Sequence, residues 1–303
     1  MISINKRAFT LIELLVVIAI IGILSALIVV GMSSTTQKAT IAKAQVFSNS
    51  LRNSLMGNLV SEWKFDQVNV PAANQTPDSW GGGNTGTLYG SGGSQNLPQL
   101  QTTGCVSGNC LSFDSTDDYV DCGTGNSLDI TSVITVSVWV KTVNTAREVV
   151  IGKLASSPIN GFFLDISGAT QGYPRFIIYN NGSSGSGSSS VAVIDGNWHN
   201  LVGTYNGSND ILYVDGTRQP LGTNLAPGSA SAVSFKIGIA WDASSYKFIG
   251  SIDDVRIFNV AVPTSQIQQN YFVGLNKLFA KQGIESIEYQ QRLAELSNNY
   301  AKQ

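Results

Sequence analysis

The chain has 303 residues, a formal net charge of −2, 31 glycines and only 13% charged residues. No basic stripe interleaved with aromatic residues occurs, which argues against a nucleic-acid-binding protein. The three cysteines form no Cys-x-x-Cys pair and no cluster with histidine, which argues against a zinc site. The length accommodates a membrane anchor followed by one or two domains.

An apolar run follows the basic pair Lys6-Arg7, starting at Ala8 and continuing to Met32. A helix over residues 9–32 would be about 36 Å long, enough to cross the hydrocarbon core of a bilayer. The run is too long for the core of an ordinary secretory signal peptide. We therefore predict a transmembrane helix, with the basic pair in the cytoplasm and the chain beyond Met32 outside.

Glu13 interrupts the apolar run near its start. A carboxylate in hydrocarbon is costly unless it has a partner, and no Lys or Arg lies within helical reach on its C-terminal side. Cleavage before Phe9 would create an α-amino group four residues upstream of Glu13. On a neighbouring subunit, this cation would neutralise Glu13 and set the register between packed helices.

Residues 6–17, Lys-Arg-Ala-Phe-Thr-Leu-Ile-Glu-Leu-Leu-Val-Val, resemble the prepilin signature of type IV pilins and type II secretion pseudopilins. The resemblance implies that a prepilin peptidase cleaves between Ala8 and Phe9 and methylates the new amine of Phe9. Phe9 and Glu13 would then direct filament assembly, and residues 1–8 would be the leader. The family usually has glycine where this chain has Ala8. The alternative is a plain transmembrane anchor with a chance glutamate.

Beyond Met32 the chain becomes amphipathic, and apolar residues recur at steps of three and four. This spacing predicts one helix over residues 9–60, whose second half packs against the following domain.

From Ser61 onward, short apolar stretches alternate with clusters of Gly, Asn, Ser and Asp, which is typical of a two-sheet β-sandwich. Asp215-Gly216 predicts a hairpin turn, and residues 181–190 predict an exposed Gly/Ser-rich loop. The predicted strands are Glu62–Phe65, Ser112–Phe113, Tyr119–Val120, Thr135–Lys141, Glu148–Lys153, Gly161–Ile166, Arg175–Tyr179, Val191–Val193, His199–Tyr205, Asp210–Val214, Val233–Ile239 and Gly250–Phe258.

Five motifs follow one another within residues 61–262. They are Leu-Ser-Phe-Asp at 111–114 with Asp-Asp-Tyr-Val at 117–120, Val-Ser-Val-Trp-Val-Lys at 136–141, Asp-Gly-Asn-Trp-His at 195–199, Tyr-Val-Asp-Gly at 213–216, and Gly-Ser-Ile-Asp-Asp-Val-Arg-Ile-Phe at 250–258. In this order they resemble the laminin-G-like jelly roll of the concanavalin A-like lectin/glucanase superfamily. This fold hosts many roles, so the resemblance implies architecture more than function.

Catalytic carboxylates are not indicated in this middle region. Glycosidases need two carboxylates across the scissile bond, whereas Glu62 and Glu148 each stand alone. Adjacent aspartates such as Asp253 and Asp254 point apart on a strand. His199 follows a tryptophan at a strand start and is interpreted as structural. We therefore predict a protein that is not an enzyme.

Asp114, Asp253 and Asp254 lie in motifs that should bring the first and last strands of the jelly roll together. Carboxylates with turn carbonyls form hard-oxygen sites that suit Ca²⁺, and relatives of this fold often hold such an ion. These residues are the predicted calcium ligands. The alternative is that the aspartates cap turns or pair with Arg256.

Cys105 and Cys110 flank a short turn-like loop, so a disulfide is predicted in an oxidising compartment, with two unpaired thiols as the alternative. Cys122 is interpreted as a small buried hydrophobe. A sugar-binding surface needs exposed aromatic residues beside polar groups. The aromatic residues in loop-like surroundings are Trp80, Tyr89, Tyr173, Trp241 and Tyr246.

The tail over residues 263–303 predicts a helical hairpin, which begins at Pro263-Thr264 and is interrupted at Gln282-Gly283. It would pack on the sandwich or on the long helix. The predicted fold is thus α+β: a long N-terminal transmembrane and filament helix, an antiparallel two-sheet jelly roll and a short C-terminal helical hairpin.

We predict a type IV pilin-like filament subunit, a minor pilin, which displays a lectin-like domain for adhesion or ligand binding. Its partners would be other pilin subunits, the prepilin peptidase and a surface glycan or protein. The precursor would lie in the cytoplasmic membrane and the mature chain in an extracellular filament or at the cell surface. The alternatives are a type II secretion pseudopilin and a monomeric membrane-anchored carbohydrate-binding protein. A hydrolase is a more distant alternative.

Overall fold

The computed structural model describes residues 56–67, 74–90, 96–114, 117–167, 172–220 and 222–300. All of them lie in one compact unit, Ser48–Gln303. The predicted prepilin segment, with Ala8, Phe9 and Glu13, lies outside the described residues, so its helix and its processing stay predictions here. Within the described ranges, no helix combines the length and apolar character needed to cross a bilayer.

The described chain consists mainly of strands, with two short 3-10 turns at Met56–Asn58 and Asn126–Leu128 and two helices at the C-terminal end. The strands are β1 (Leu59–Trp63), β2 (Gln75–Thr76), β3 (Gly86–Tyr89), β4 (Gln99–Gln101), β5 (Cys110–Asp114), β6 (Tyr119–Asp121), β7 (Ile134–Lys141), β8 (Glu148–Ser156), β9 (Ile159–Ser167), β10 (Tyr173–Asn180), β11 (Ser183–Ser188), β12 (His199–Tyr205), β13 (Asp210–Val214), β14 (Thr217–Arg218), β15 (Lys236–Ile237) and β16 (Ile249–Phe258). The helices are α1 (Thr264–Ala280) and α2 (Ser286–Tyr300).

Over the described ranges, the strands form two antiparallel sheets of eight strands each. The first sheet has the order β14-β13-β12-β7-β16-β5-β4, and β1 also pairs with β16. The second sheet has the order β11-β10-β9-β8-β15-β6-β3-β2. The predicted two-sheet sandwich is therefore confirmed for the described residues.

The core lies between the sheets because each strand alternates its side chains. On β9, Phe162, Leu164 and Ile166 face the core, whereas Phe163 and Asp165 face outward. Burying each apolar side chain of this size contributes about 1.5–3 kcal/mol, so strand register is tightly determined.

Three predicted elements differ from the structure. Leu59 and Val60, placed at the end of the predicted helix, belong to β1, because this segment pairs with β16 and buries Leu59. The predicted loop at 181–190 is wrong, because Ser183–Ser188 forms β11 and pairs along β10. The predicted strand Val191–Val193 is also wrong, because these residues form no strand, although the Val193 side chain is fully buried in the core.

The two helices cover the outer face of the first sheet. Tyr271 of α1 stacks on Trp139 of β7 with ring centroids 5.6 Å apart. Gly274 allows this approach, since a Cβ at this position would clash with the Trp139 ring. Of the two packing sites predicted for the C-terminal hairpin, the sandwich is the one observed.

The Cys105–Cys110 disulfide is present, and Cys122 is a buried free thiol. The loop closed by this disulfide lies between the first sheet and α1. Lys277 Nζ donates to Ser107 Oγ at 3.0 Å, and Lys281 Nζ donates to the Gly108 carbonyl at 2.9 Å. The disulfide loop therefore fixes the C-terminal part of α1 to the sandwich.

Candidate functional site

The outer face of the second sheet carries a cluster of aromatic and charged side chains. Strand register places Asp165, Arg175 and Ser188 in one row across the sheet. The next row holds Phe163 and Ile177, and the one after it holds Tyr179. We call this surface the platform, and it consists of Arg147, Phe163, Asp165, Arg175, Tyr179, Trp241, Tyr246 and the outward serines Ser184, Ser186 and Ser188.

A buried carboxylate lies at the centre of the platform. Asp165 Oδ2 accepts from Arg147 Nε at 2.7 Å and from Arg175 Nη2 at 2.6 Å, and its Oδ1 accepts from Arg175 Nε at 3.0 Å. The Asp165 side chain is 0% exposed, whereas each arginine side chain is 30% exposed. The hydrogen bonds that Arg175 donates to Asp165 raise the pKa of Arg175, so its positive charge is secure. Asp165 thus holds two guanidinium groups in fixed positions at the surface.

Aromatic rings surround these charges. Phe163 stacks on Tyr179 at 6.1 Å between centroids and contacts Trp241 at 5.9 Å. The Arg147 guanidinium lies 4.3 Å from the Tyr246 ring centroid, which is the geometry of a cation–π interaction. Tyr246 is 40% exposed. The platform therefore presents ring faces and hydrogen-bond donors side by side.

A strained turn holds Tyr246 over Arg147. Ala243 and Tyr246 both have positive φ, at 55° and 50°, which costs energy for residues other than glycine. The Asp242 carboxylate accepts from the Ser244 and Ser245 backbone N–H groups and from the Ser245 hydroxyl. Val149 N donates to the Tyr246 carbonyl at 2.7 Å and fixes the turn to β8. The strained conformation is therefore maintained by specific hydrogen bonds.

The serine row comes from β11, whose sequence alternates serine and glycine. Gly185 and Gly187 face inward and are buried, so the serines between and beside them face outward. A Cβ at Gly185 would clash with Thr223 Oγ1, which explains why glycine is needed where β11 crosses close to β13. The period of two in this segment was a usable strand signal that its glycine and serine content concealed.

The three predicted calcium ligands do not meet. Asp114 pairs with Ile249 across the β5–β16 ladder, roughly 13 Å along the strand from Asp253. Asp253 Oδ2 accepts from Ser107 N at 3.0 Å, and its Oδ1 accepts from Asp254 N at 2.7 Å. Burial and the adjacent Asp254 raise the pKa of Asp253 well above its usual range.

Asp254 forms an ion pair with Arg256 of the same chain. Its Oδ2 lies 3.2 Å from Arg256 Nη2, and Arg256 Nε donates to Glu62 Oε1 at 2.8 Å. A β-bulge between Asp253 and Arg256 places Asp254 at φ 49° and turns it toward this arginine. The pairing with Arg256 is the observed role, so these three aspartates do not fit a shared calcium ion.

His199 joins two loops at one end of the sandwich. Its Nδ1 lies 2.7 Å from Asp215 Oδ2, and its Nε2 lies 3.0 Å from Asp195 Oδ1. Burial alone would lower its pKa, but the two carboxylates raise it to about 9. Donation from both nitrogens requires the doubly protonated ring, so His199 is held as a cation that links the two aspartates.

Of the other three loop aromatics, Trp80 and Tyr89 lie away from the platform, whereas Tyr173 lies on β10, two residues before Arg175 on the same face of the sheet. Trp80 packs at the edge of a cluster with Leu59 and Phe258. Tyr89 is 44% exposed and stacks on Tyr119 at 4.8 Å on the far strands of the second sheet. Trp241 and Tyr246 come from the turn after β15 and contact Phe163 and Arg147, respectively.

Comparison with protein families confirms both resemblances. The prokaryotic N-terminal methylation motif matches residues 4–29, which is consistent with a membrane-anchored precursor and with pilin-type assembly. The concanavalin A-like lectin/glucanases superfamily matches residues 114–268. No curated protein matches the chain significantly.

Solved structures share the fold of the sandwich. Domain 4 of AbnA, an extracellular arabinanase from Geobacillus stearothermophilus in complex with arabinotriose, is 20% identical with a TM-score of 0.54, covering 70% of this chain and 97% of that domain. The ligand-binding domain of botulinum neurotoxin serotype D, in complex with N-acetylneuraminic acid, is 17% identical with a TM-score of 0.54. That match covers 72% of this chain and 52% of the neurotoxin domain, so this chain spans about half of its length. The family match over residues 114–268 extends over just more than half of the sequence, and the chain belongs to the concanavalin A-like lectin/glucanases superfamily.

Proposed function

We propose that the chain is a minor pilin-like subunit that carries a lectin-like domain to the cell surface and binds glycans through the platform. The observation that carries this proposal is the joining, in one chain, of an N-terminal methylation motif to a concanavalin A-like sandwich. Filament assembly would use Phe9 and Glu13, and the sandwich would be the displayed part.

The platform supports glycan binding by its chemistry. Sugars present apolar ring faces and hydroxyl groups together, so a site needs aromatic surfaces beside donors and acceptors. Trp241, Tyr179 and Tyr246 supply the rings, while Arg147 and the outward serines supply polar groups. Two structures that share this fold hold arabinotriose and N-acetylneuraminic acid.

Lack of catalysis is part of the same proposal. Glycosidases place two carboxyl groups roughly 5–10 Å apart, one of which must give or take a proton. On the platform, the Asp165 side chain is 0% exposed and bonded to two arginines, so it does not contact a glycan bound at the surface. We expect no release of reducing ends when the protein is incubated with the glycans it binds.

The N-terminal proposal is tested by mass spectrometry of protein from sheared surface material. We expect a mature chain that begins at N-methylated Phe9. Recovery of the mature chain only from the membrane fraction of secreting cells would favour a pseudopilin. An intact N-terminus confined to the membrane would instead indicate a monomeric anchored binding protein.

The binding proposal is tested with the full-length chain in detergent, by biolayer interferometry on immobilised oligosaccharides. We expect Tyr246→Ala and Trp241→Ala to weaken binding about tenfold or more, since buried aromatic anchors dominate binding energies. Tyr89→Ala is the matched control, because Tyr89 has a similar exposure but lies outside the platform. Equal losses from Tyr89→Ala and Tyr246→Ala would refute the assignment of the site.

A further inference from the structure

We infer that the platform is built for a saccharide that carries a carboxylate, with Arg147 and Arg175 as the groups that bind it. This inference rests on the proposed glycan-binding function and specifies its ligand class. Three observations support it: the excess of positive charge around Asp165, the exposure of both arginines, and the Tyr246 ring that orients Arg147.

The charges at the centre of the platform do not cancel. Two guanidinium groups converge on Asp165 Oδ2, through Arg147 Nε at 2.7 Å and Arg175 Nη2 at 2.6 Å. One carboxylate therefore faces two cations, which leaves one positive charge in excess. Because Asp165 is 0% exposed and the arginine side chains are 30% exposed, the excess charge lies at the surface.

Hydrogen-bond donors are also in excess. Each guanidinium carries five N–H groups in a planar fork, and Asp165 accepts from Arg147 Nε and from Arg175 Nε and Nη2. Each arginine therefore keeps Nη donors that Asp165 does not use. Planar donors of this kind match a second carboxylate in bidentate geometry.

Two acidic side chains on segments next to Arg147 and Tyr246 are engaged by other groups. Asp242, on the turn that carries Tyr246, accepts from Ser244 and Ser245 within its own turn. Glu148, the residue after Arg147, accepts from Thr142, Asn144 and the Ile249 backbone, and it is fully buried. Burial raises the pKa of Glu148 to about 7, which reduces its negative charge near neutral pH.

The platform is also organised before a ligand arrives. Asp165 fixes one edge of both guanidinium groups, and the Tyr246 ring lies against Arg147 at 4.3 Å. Arginine side chains lose considerable rotamer freedom when they bind, so prior fixation lowers that cost. A sugar ring can then stack on Trp241 or Tyr179 while its carboxylate contacts the arginines.

The decisive comparison uses a matched pair of probes on the unaltered full-length chain in detergent. Trigalacturonic acid and its methyl ester share one backbone and differ in charge, and sialyllactose and lactose form a second pair. We expect each acid to bind about tenfold or more tightly than its neutral counterpart, as for charge-assisted hydrogen bonds. Acid binding should also weaken as ionic strength rises.

Variants then test the two arginines. Arg147→Gln and Arg175→Gln should each reduce the preference for the acid over the ester, and Arg218→Gln, an exposed arginine of the other sheet, should leave it unchanged. Equal affinity for acid and ester overturns this inference alone, whether or not the variants fold. Failure to bind any of the four probes, or neutral arabinotriose, overturns this inference together with the glycan-binding function.

Discussion

The His199 link makes the stability of the sandwich depend on pH. The pKa of His199 is raised from 6.5 to about 9 in the folded chain, against burial, by Asp215 and Asp195. A group whose pKa is raised by folding stabilises the folded state. Its full contribution is present below the pKa that it has in the unfolded chain, and it is lost as the pH rises through the pKa that it has in the folded chain. Raising the pKa from 6.5 to about 9 corresponds to about 3 kcal/mol, so this contribution should be present near pH 6 and lost by about pH 10.

The perturbation is His199→Gln, which keeps a hydrogen-bond donor but does not titrate. Chemical unfolding of the full-length chain would be followed by tryptophan fluorescence, since Trp198 precedes His199 and is buried. The difference in free energy of unfolding between wild type and variant should shrink by about 3 kcal/mol from about pH 6 to about pH 10. The tyrosines and lysines that titrate in the same pH range are present in both proteins, so their contribution cancels in this difference and that of His199 remains.

Asp242→Asn is the control for this experiment. Asp242 is an exposed carboxylate whose pKa is lowered by hydrogen bonds from Ser245 and Ser244, against a burial effect that raises it. It stays ionised across the whole range, so its difference from wild type should be constant. A wild-type minus His199→Gln difference that is equally constant would refute the cationic link.

Three further predictions concern packing and charge. Gly274→Val should displace α1 from Trp139 and destabilise the chain by about 1–3 kcal/mol, measured by thermal unfolding, because the added carbons occupy the position of the ring. Replacing Cys105 and Cys110 by serine should cost about 2 kcal/mol, measured by chemical unfolding, because the disulfide closes a short loop. Arg256→Gln should cost about 3–5 kcal/mol, measured the same way, because it leaves buried Asp254 without its cation and removes one of the two cations that pair with Glu62.

Matched controls separate these effects from general damage. Gly57→Ala adds a methyl group that meets nothing within 4 Å and should change stability by less than about 0.5 kcal/mol. Arg218→Gln removes an exposed arginine and should be equally mild. If Gly274→Val proves as mild as Gly57→Ala, α1 does not depend on close contact with Trp139. A cost for Arg256→Gln no larger than for Arg218→Gln would contradict the buried ion-pair network.

Local patterns were sufficient for much of the sandwich. The predicted strands His199–Tyr205 and Asp210–Val214 coincide with β12 and β13, and Asp215-Gly216 forms the turn into β14. Both turn residues have positive φ, which suits the hairpin turn that their sequence predicts. The start of α1 after Pro263 was predictable for a similar reason, since a helix start depends on neighbouring residues.

The platform could not be predicted, because it depends on which strands become neighbours. Arg147 directly precedes β8 and Asp165 lies on β9, whereas Tyr246 lies in a turn about a hundred residues after Arg147. These residues lie together because of the strand order and the register of the second sheet, and local periodicity predicts neither. Trp241 and Tyr246 were recognisable as loop aromatics, but their arginine partner was not.

The predicted calcium ligands also depended on strand register, which the sequence did not reveal. The motifs containing Asp114 and Asp253 do form adjacent strands, as expected, but their register sets the two residues four positions apart. A single extra residue in β16 then turns Asp254 toward Arg256. By itself, the sequence determined the methylation motif, the sandwich class, most strands and the helical hairpin, since these follow from local composition and periodicity. Only the tertiary structure decided which side chains share a face, because register, bulges and sheet order arise from packing between distant segments.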